Sequence, residues 1–448
     1  VSSTLEIRSF INQSKMSPQQ WLLTGLCFLI VLCDGIDVAI MGFLAPAITK
    51  DWGITKSAFG LVMAAAPIGL AIGAIVAGSS SDWFGRRKVL LGSVFAFGLF
   101  TLFTAFARNA TEMAALRFLT GLGLGAAMPN ATTLLSEYVP ERYRSVLLAT
   151  MFTGFNFGSA LIGFAAAFLM PRYGWHSVLY FGAALPLALF VALVIFLPES
   201  ARFMVVRKQA ADKIRTGLSR VTGIDLAGYS RFILAEEKVT SKQPVGVLFS
   251  PAFALRTFTL WICYFMGLLV IYLSTSWMPT MIEGAGMSIE TAANVTAMFQ
   301  LGGTIGAVVV GFAMHVFGAN RAIAVSYFLG AVALVWLGFS GVQSVYLIGA
   351  VSAVGFFMSG GQTGLNAYAP GCYPTFARAT GVSWMLGVGR LGSILGSSIG
   401  GALMSFGWDF KGIFCVLAIP ALLAAIAITI NGMVGNYDDA DQVAQKPA

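Results

Sequence analysis

The sequence predicts an all-α, polytopic membrane protein built from two pseudo-symmetric bundles of six helices. Three observations predict it: a deficit of charge, twelve apolar stretches of membrane-crossing length, and an internal repeat. Of the 448 residues, 57% are apolar and 10% are Asp, Glu, Lys or Arg, where a soluble domain carries about 25% charged residues. The 27 basic and 19 acidic side chains cannot cover a soluble surface of this size, so an ordinary water-soluble enzyme is excluded and lipid must cover most of the outside. The 51 glycines and 36 phenylalanines agree, since glycine lets membrane helices approach closely and phenylalanine is at home against hydrocarbon.

The first stretch, 21 to 44, is long and carries Asp34 and Asp37, which sets it apart from a cleavable signal sequence. The stretches 57 to 80, 89 to 107, 112 to 135 (around Arg117), 145 to 170 and 176 to 197 complete a first set of six. The second set is 255 to 277, 291 to 314, 322 to 340, 344 to 368, 379 to 403 (around Arg390) and 408 to 432. Each is long enough for a helix to cross a hydrocarbon core of roughly 30 Å with modest tilt. Runs such as Val89 to Ala107 stay apolar throughout, whereas barrel strands alternate over about ten residues.

The expected organisation is an N-terminal bundle over 1–197, a cytoplasmic linker over 198–254 with short amphipathic helices, a C-terminal bundle over 255–435, and a flexible cytoplasmic tail over 436–448. With both termini in the cytoplasm, that side holds 20 of the 27 Lys and Arg residues, including Arg86, Arg87 and Lys88 and then Arg142 and Arg144 in short loops. Lys50, Lys56, Arg108, Arg172 and Lys411 fall outside. The positive-inside rule supports this orientation. It also explains the net charge of +8 better than nucleic-acid binding does, because the basic residues are dispersed over loops and the linker.

The repeat appears when Arg144 is aligned with Arg378. Pro140 then falls on Pro374, Gly158 on Gly392, Ser159 on Ser393 and Leu161 on Leu395, and a one-residue adjustment brings Gly174-Trp175 onto Gly407-Trp408. Two parallel halves of this kind suit rocking about a central site. The alignment sets Asn156 opposite Arg390.

Ionisable groups inside the spans are the candidate functional residues. Asp34 and Asp37 stand at i and i+3 on one helix face. A charge near the bilayer centre costs at least about 2.5 to 3.5 kcal/mol, so two require a cavity, a cationic partner or protonation. Arg117 is the expected partner of one of them, and proton coupling the expected role; a fixed ion pair that only holds helices together is the alternative. Arg390 is assigned to a substrate anion, because a guanidinium donates a paired fork of hydrogen bonds to a carboxylate. Arg117 could serve there instead, and packing alone is the bland alternative for Arg390. Trp384, six residues before Arg390, is a candidate wall of the same cavity, and Asn156 a second polar contact.

Gly78-Ser-Ser-Ser-Asp82-Trp83-Phe84-Gly85-Arg86-Arg87-Lys88 allows a tight turn with ion pairs that break during movement, a conformational latch; a topology anchor is the alternative. Gly387-Val-Gly389-Arg390-Leu-Gly392 lacks a preceding strand and a Walker lysine, so no nucleotide site is expected. The five cysteines sit singly and the two histidines lack ligand spacing, so neither a metal nor a cofactor is expected.

These motifs resemble the major facilitator superfamily, and more narrowly its aromatic acid/proton symporters for compounds such as 4-hydroxybenzoate, protocatechuate and benzoate. The glycine-to-lysine segment above carries the fold resemblance. Asp34-Gly35-Ile36-Asp37, Pro198-Glu199-Ser200-Ala201-Arg202-Phe203 and Arg117-Phe-Leu-Thr-Gly121-Leu-Gly123-Leu-Gly125 carry the narrower one. It implies a 12-helix major facilitator fold, a requirement for Asp34 and Asp37, a coupling or gating role for Arg117 and Glu137, and contributions from Arg378 and Arg390. Arg144, the repeat mate of Arg378, joins the gating group.

The implied function is proton-coupled uptake of an aromatic carboxylate by alternating access, carried out by a monomer in the bacterial inner membrane, with substrate, protons and lipids as partners. Transport or export of another organic acid such as muconate, and a non-transporting membrane sensor, are the alternatives.

Overall fold

A computed structural model describes residues 3–234, 244–342, 346–373 and 375–434. A short strand, β1 (Ser3–Glu6), and helix α1 (Ile7–Gln13) precede six long helices: α2 (Pro18–Trp52), α3 (Lys56–Phe84), α4 (Arg86–Thr104), α5 (Ala110–Tyr138), α6 (Glu141–Tyr173) and α7 (Trp175–Phe196). The segment after them forms α8 (Ala201–Val206), α9 (Ala211–Thr222), β2 (Tyr229–Ile233) and α10 (Pro244–Leu248). Six more long helices follow: α11 (Ala254–Gly284), α12 (Ile289–Phe317), α13 (Ala319–Ser340), α14 (Leu347–Tyr368), α15 (Thr375–Ser405) and α16 (Phe410–Met433). The twelve apolar stretches thus become twelve helices.

Among the described residues, nine of the twelve are long and apolar enough to cross a membrane by length and composition. The other three, α5, α14 and α15, are diluted by polar residues: Arg117, Gln362 and Arg390 with their neighbouring glycines and serines.

The internal repeat is written into the packing. Between α3 and α4 the chain turns at Gly85 (φ +93°), and between α12 and α13 at Gly318 (φ +90°); Gly174 (φ +76°) and Gly407 (φ +84°) make the other matched pair. These left-handed conformations cost glycine no Cβ clash. Helix crossings match as well. A Cβ at Gly158 of α6 would collide with the Leu32 carbonyl of α2, and one at Gly392 of α15 with the Phe265 carbonyl of α11. Gly73 on Leu122 is likewise repeated by Gly306 on Phe356. Backbone contact at small residues is how helices associate in lipid, where no hydrophobic drive separates one apolar surface from another.

The chain divides into two compact units. The first comprises Val1–Val38, Ile68–Gly158 and Leu179–Lys238; the second comprises Ala39–Pro67, Ser159–Val178 and Val239–Ala448. In the first unit α9 buries Ile214, Leu218 and Val221 along one stripe, the amphipathic helix expected of the linker. The unit also contains a feature that the sequence reading lacked: β1 pairs in parallel with β2, placing Leu5 opposite Phe232, and both side chains are buried. Two strands of four and five residues, far apart in sequence, leave no periodic signal, which is why only helices were expected there. Linker residues 235–243 and the tail 436–448 lie outside the described residues.

In the second unit the distal parts of α2 and α3 pack on α11 and α15. Gly42 abuts the Thr275 carbonyl, and Gly401 abuts the Lys56 carbonyl. The Trp175 indole donates to Asp51 at 3.2 Å and meets Trp52 edge-on.

Candidate functional site

In the first unit, α2, α4 and α5 bring Asp37, Thr101 and Arg117 together. Arg117 Nη1 donates to Asp37 Oδ1 at 2.8 Å and Nη2 donates to Oδ2 at 2.8 Å. Nη2 also reaches the Asp37 carbonyl oxygen at 2.9 Å, and the Thr101 hydroxyl donates to Oδ1 at 2.6 Å. The side chains of Arg117 and Asp37 are only 1% and 3% exposed. Planar fork meets planar carboxylate, the arrangement that lets two opposite charges persist away from water. Between Arg117 and the two carboxylates of α2, the pair forms with Asp37. Asp34 is buried one turn earlier, beside Gly35, where a Cβ would collide with the Phe155 carbonyl of α6.

In the second unit Arg390 sits half-buried on α15. Its neighbour Gly389 faces the ring of Tyr264 on α11, with no space for a Cβ, and Tyr264 lies within electrostatic reach of the guanidinium. Among the described residues no carboxylate forms an ion pair with Arg390. Trp384 stacks on Trp261 at 5.7 Å between ring centroids and is 44% exposed. Six residues turn a helix through about 600°, so Trp384 and Arg390 leave α15 on different faces. Asn156 is buried on α6.

A second polar cluster closes the α3–α4 turn of the first unit. Arg86 Nη1 lies 3.3 Å from Glu137 Oε1 and donates to the Ser200 hydroxyl at 3.1 Å, while Ser200 donates to Glu137 Oε2. The Arg87 backbone N–H donates to Glu199 Oε1 at 3.1 Å, and the Arg87 guanidinium reaches the Val194 carbonyl. Gly85 leaves room for Glu199, whose carboxylate would meet any Cβ there. Burial pushes the Glu137 carboxyl up, against the opposing pull of Arg86, Ser200 and Arg202. Arg144 pairs with Glu141 at 3.6 Å, and Arg378 is exposed. The side chains of Gly78 and Asp82 lie outside the described residues.

Sequence reasoning missed Thr101 and gave Ser200 no role. A hydroxyl in an apolar helix carries no signal of its own, because Ser and Thr also bond back to their own helix.

Comparison with known proteins bears on the family and the fold. A family model describing the Major Facilitator Superfamily matches residues 27–342 and 260–434. A gallate transporter of Pseudomonas putida is 51% identical over 432 residues, covering 96% of each chain. The 4-hydroxybenzoate transporter PcaK of Pseudomonas aeruginosa is 47% identical, covering 97% of each. A benzoate transport protein of Acinetobacter baylyi is 30% identical, covering 96% of this chain and 93% of its own. Among solved structures, the inward open conformation of the xylose transporter XylE from E. coli superposes with a TM-score of 0.72 at 16% identity, over 91% of this chain and 95% of that one; at that identity it speaks for the fold alone. With the family model spanning both halves and relatives of near-equal length, the chain belongs to the major facilitator superfamily, and is a multi-pass membrane transporter rather than an enzyme.

Proposed function

We propose that the protein takes up an aromatic carboxylate together with a proton by alternating access. The observation that carries this reading is the contrast between two intramembrane arginines. Arg117 is paired with Asp37 through both of its terminal nitrogens, whereas Arg390 has no carboxylate partner among the described residues. An unmatched guanidinium in a membrane helix is costly unless an anion visits it, and an aromatic acid is the anion that the transporters of gallate, 4-hydroxybenzoate and benzoate among the relatives point to.

In this mechanism Arg390 holds the substrate carboxylate. A proton arriving at Asp34 or Asp37 neutralises the carboxylate, weakens the grip of Arg117 and permits the helices to exchange arrangements. Arg86, Glu137 and Ser200, with Gly85 at the turn, form the latch that breaks in one of the two arrangements, and Gly78, Asp82, Arg87, Arg144 and Arg378 belong to the same gating set. Asn156 is kept as a secondary substrate residue of this reading, and Trp384, which leaves α15 on a different face from Arg390, as one met at another stage of the passage. The protein works as a monomer in the bacterial cytoplasmic membrane, both termini inside, an orientation supported by the basic loops.

Uptake of labelled 4-hydroxybenzoate into proteoliposomes tests the reading. An imposed inward proton gradient is expected to drive accumulation in the wild type and not in Arg390→Ala. Accumulation indifferent to the gradient, or undiminished in the variant, contradicts it.

A further inference from the structure

The second unit carries a buried polar cluster at a place where the first unit is dry. Asn431, near the end of α16, is 1% exposed, and its amide is bonded on both sides. Nδ2 donates to the Arg256 carbonyl of α11 at 3.1 Å and to the Thr259 hydroxyl at 2.8 Å. Oδ1 accepts from the Tyr368 hydroxyl of α14 at 2.9 Å and from the Cys372 thiol at 3.8 Å. One side chain thus joins three helices. Arg256 and Thr259 are buried beside it, and the Arg256 guanidinium reaches on to the Val434 carbonyl at 3.3 Å.

The internal repeat supplies a control for this cluster. The matched glycine contacts set Leu32 of α2 against Phe265 of α11 and Leu122 of α5 against Phe356 of α14, and the helix prolines set Pro186 of α7 against Pro420 of α16. Carried along each helix, the same registers put Leu23, Leu26, Leu134 and Leu197 opposite Arg256, Thr259, Tyr368 and Asn431. All four leucines are buried in the apolar core of the first unit. The exchange also runs the other way, since the fully buried Val270 and Val351 stand opposite Asp37 and Arg117. A bundle of this plan therefore closes on leucine at the four positions, and packing does not call for polar groups there. Buried polar groups that the fold does not require point to a function.

The cluster sits at one end of α11, and the other end receives α2: Gly42 abuts the Thr275 carbonyl, sixteen residues beyond Thr259 and so about 24 Å along the helix. We propose that Asn431 is a positioning residue of the transport cycle. It holds the start of α11 to α14 and α16 while the far end of α11 packs on α2, and it lets go when that packing opens. Single hydrogen bonds to a neutral amide contribute little each, so such a hold can be broken and remade in every cycle. The proposal rests on alternating access between two arrangements and on no choice of substrate. Two ends of one helix that change together are coupled, and coupling is reciprocal.

The test follows maleimide modification of thiols in the purified protein carrying Ala47→Cys, with peptide mass spectrometry reading each site. Gly42→Ala is expected to speed modification at Ala47→Cys and, reciprocally, at the buried Cys372. Tyr368→Phe, which removes one hydrogen bond from Asn431, is expected to speed both by about fivefold, and Asn431→Leu by at least as much. Cys27, buried in the first unit, is expected to keep its rate throughout. A faster Cys372 with an unchanged rate at Ala47→Cys in Tyr368→Phe assigns the cluster to local packing and overturns the proposal, as does a Cys27 that also reacts faster. An unchanged rate at Ala47→Cys in Gly42→Ala overturns the two-arrangement reading and the proposal with it, and so separates the two failures. Should Asn431→Leu fail to fold, Tyr368→Phe decides by itself.

Discussion

Arg117 holds Asp37 by three hydrogen bonds, two to the carboxylate oxygens at 2.8 Å and one to the carbonyl oxygen at 2.9 Å. The pair ties α5 to the middle of α2, and Thr101 adds α4 to the same carboxylate. Neutralising one member leaves the other charged and buried. Asp37→Asn or Arg117→Gln alone is therefore expected to lower stability by about 3–5 kcal/mol, and the double substitution to recover part of the loss because neither charge remains. Thermal unfolding of the four purified proteins in detergent checks this; strictly additive losses would speak against a coupled pair.

The Glu137 latch responds to pH with a sign fixed by its burial. Its carboxyl is raised above the ordinary range, so the folded state favours the neutral form relative to the unfolded chain. The contribution is fully present below about pH 4.3 and is lost as pH rises through the folded value. Glu137→Gln has no proton to lose. As pH rises from about 4.3 through the raised folded value, the wild type is expected to lose thermal stability relative to Glu137→Gln, a difference that parallel melting curves measure. A constant offset between the two contradicts the assignment.

Much of the fold was legible because each signal was local or periodic. Long apolar stretches mark helices regardless of partners, and Gly158 with Gly392, or Gly174 with Gly407, stand at matching places because the same crossing or turn is made twice. The candidate site was legible in kind: charge is so costly in a membrane that Asp37, Arg117 and Arg390 stand out as candidates. Which carboxylate Arg117 takes was not, since Asp34 and Asp37 differ only in where the α2–α5 crossing falls. The β1–β2 pair, the Thr101 contact and the Tyr368–Asn431 bond join common residue types across long separations, and a single sequence holds no trace of such meetings.

Matched glycines make a matched prediction. A methyl group at Gly158 or at Gly392 strikes a backbone carbonyl, whereas at Gly92 nothing stands within 4 Å. Gly158→Ala and Gly392→Ala are each expected to cost about 1–3 kcal/mol through overpacking, with Gly92→Ala as the neutral control. Detergent melting temperatures decide it, and equal behaviour of all three would contradict the close crossings.

Distal packing in the second unit also depends on absent side chains. Gly42 and Gly401 face the carbonyls of Thr275 and Lys56, so Gly42→Ala is expected to disfavour this arrangement and shift the population of states. Cysteine labelling at Ala47, half-buried further along α2, reports it: faster modification in Gly42→Ala than in an otherwise identical protein is the expected result, and an unchanged rate contradicts it.

Proton coupling through the α2 carboxylates is tested most directly by comparing two modes of transport in the same proteoliposomes. One is gradient-free counterflow of labelled 4-hydroxybenzoate, and the other is accumulation driven by an imposed pH gradient, each in the wild type and in the Asp34→Asn/Asp37→Asn double variant. Neutral side chains mimic the protonated state, so counterflow should persist while accumulation disappears. Gradient-driven accumulation that survives undiminished in the double variant would contradict the account.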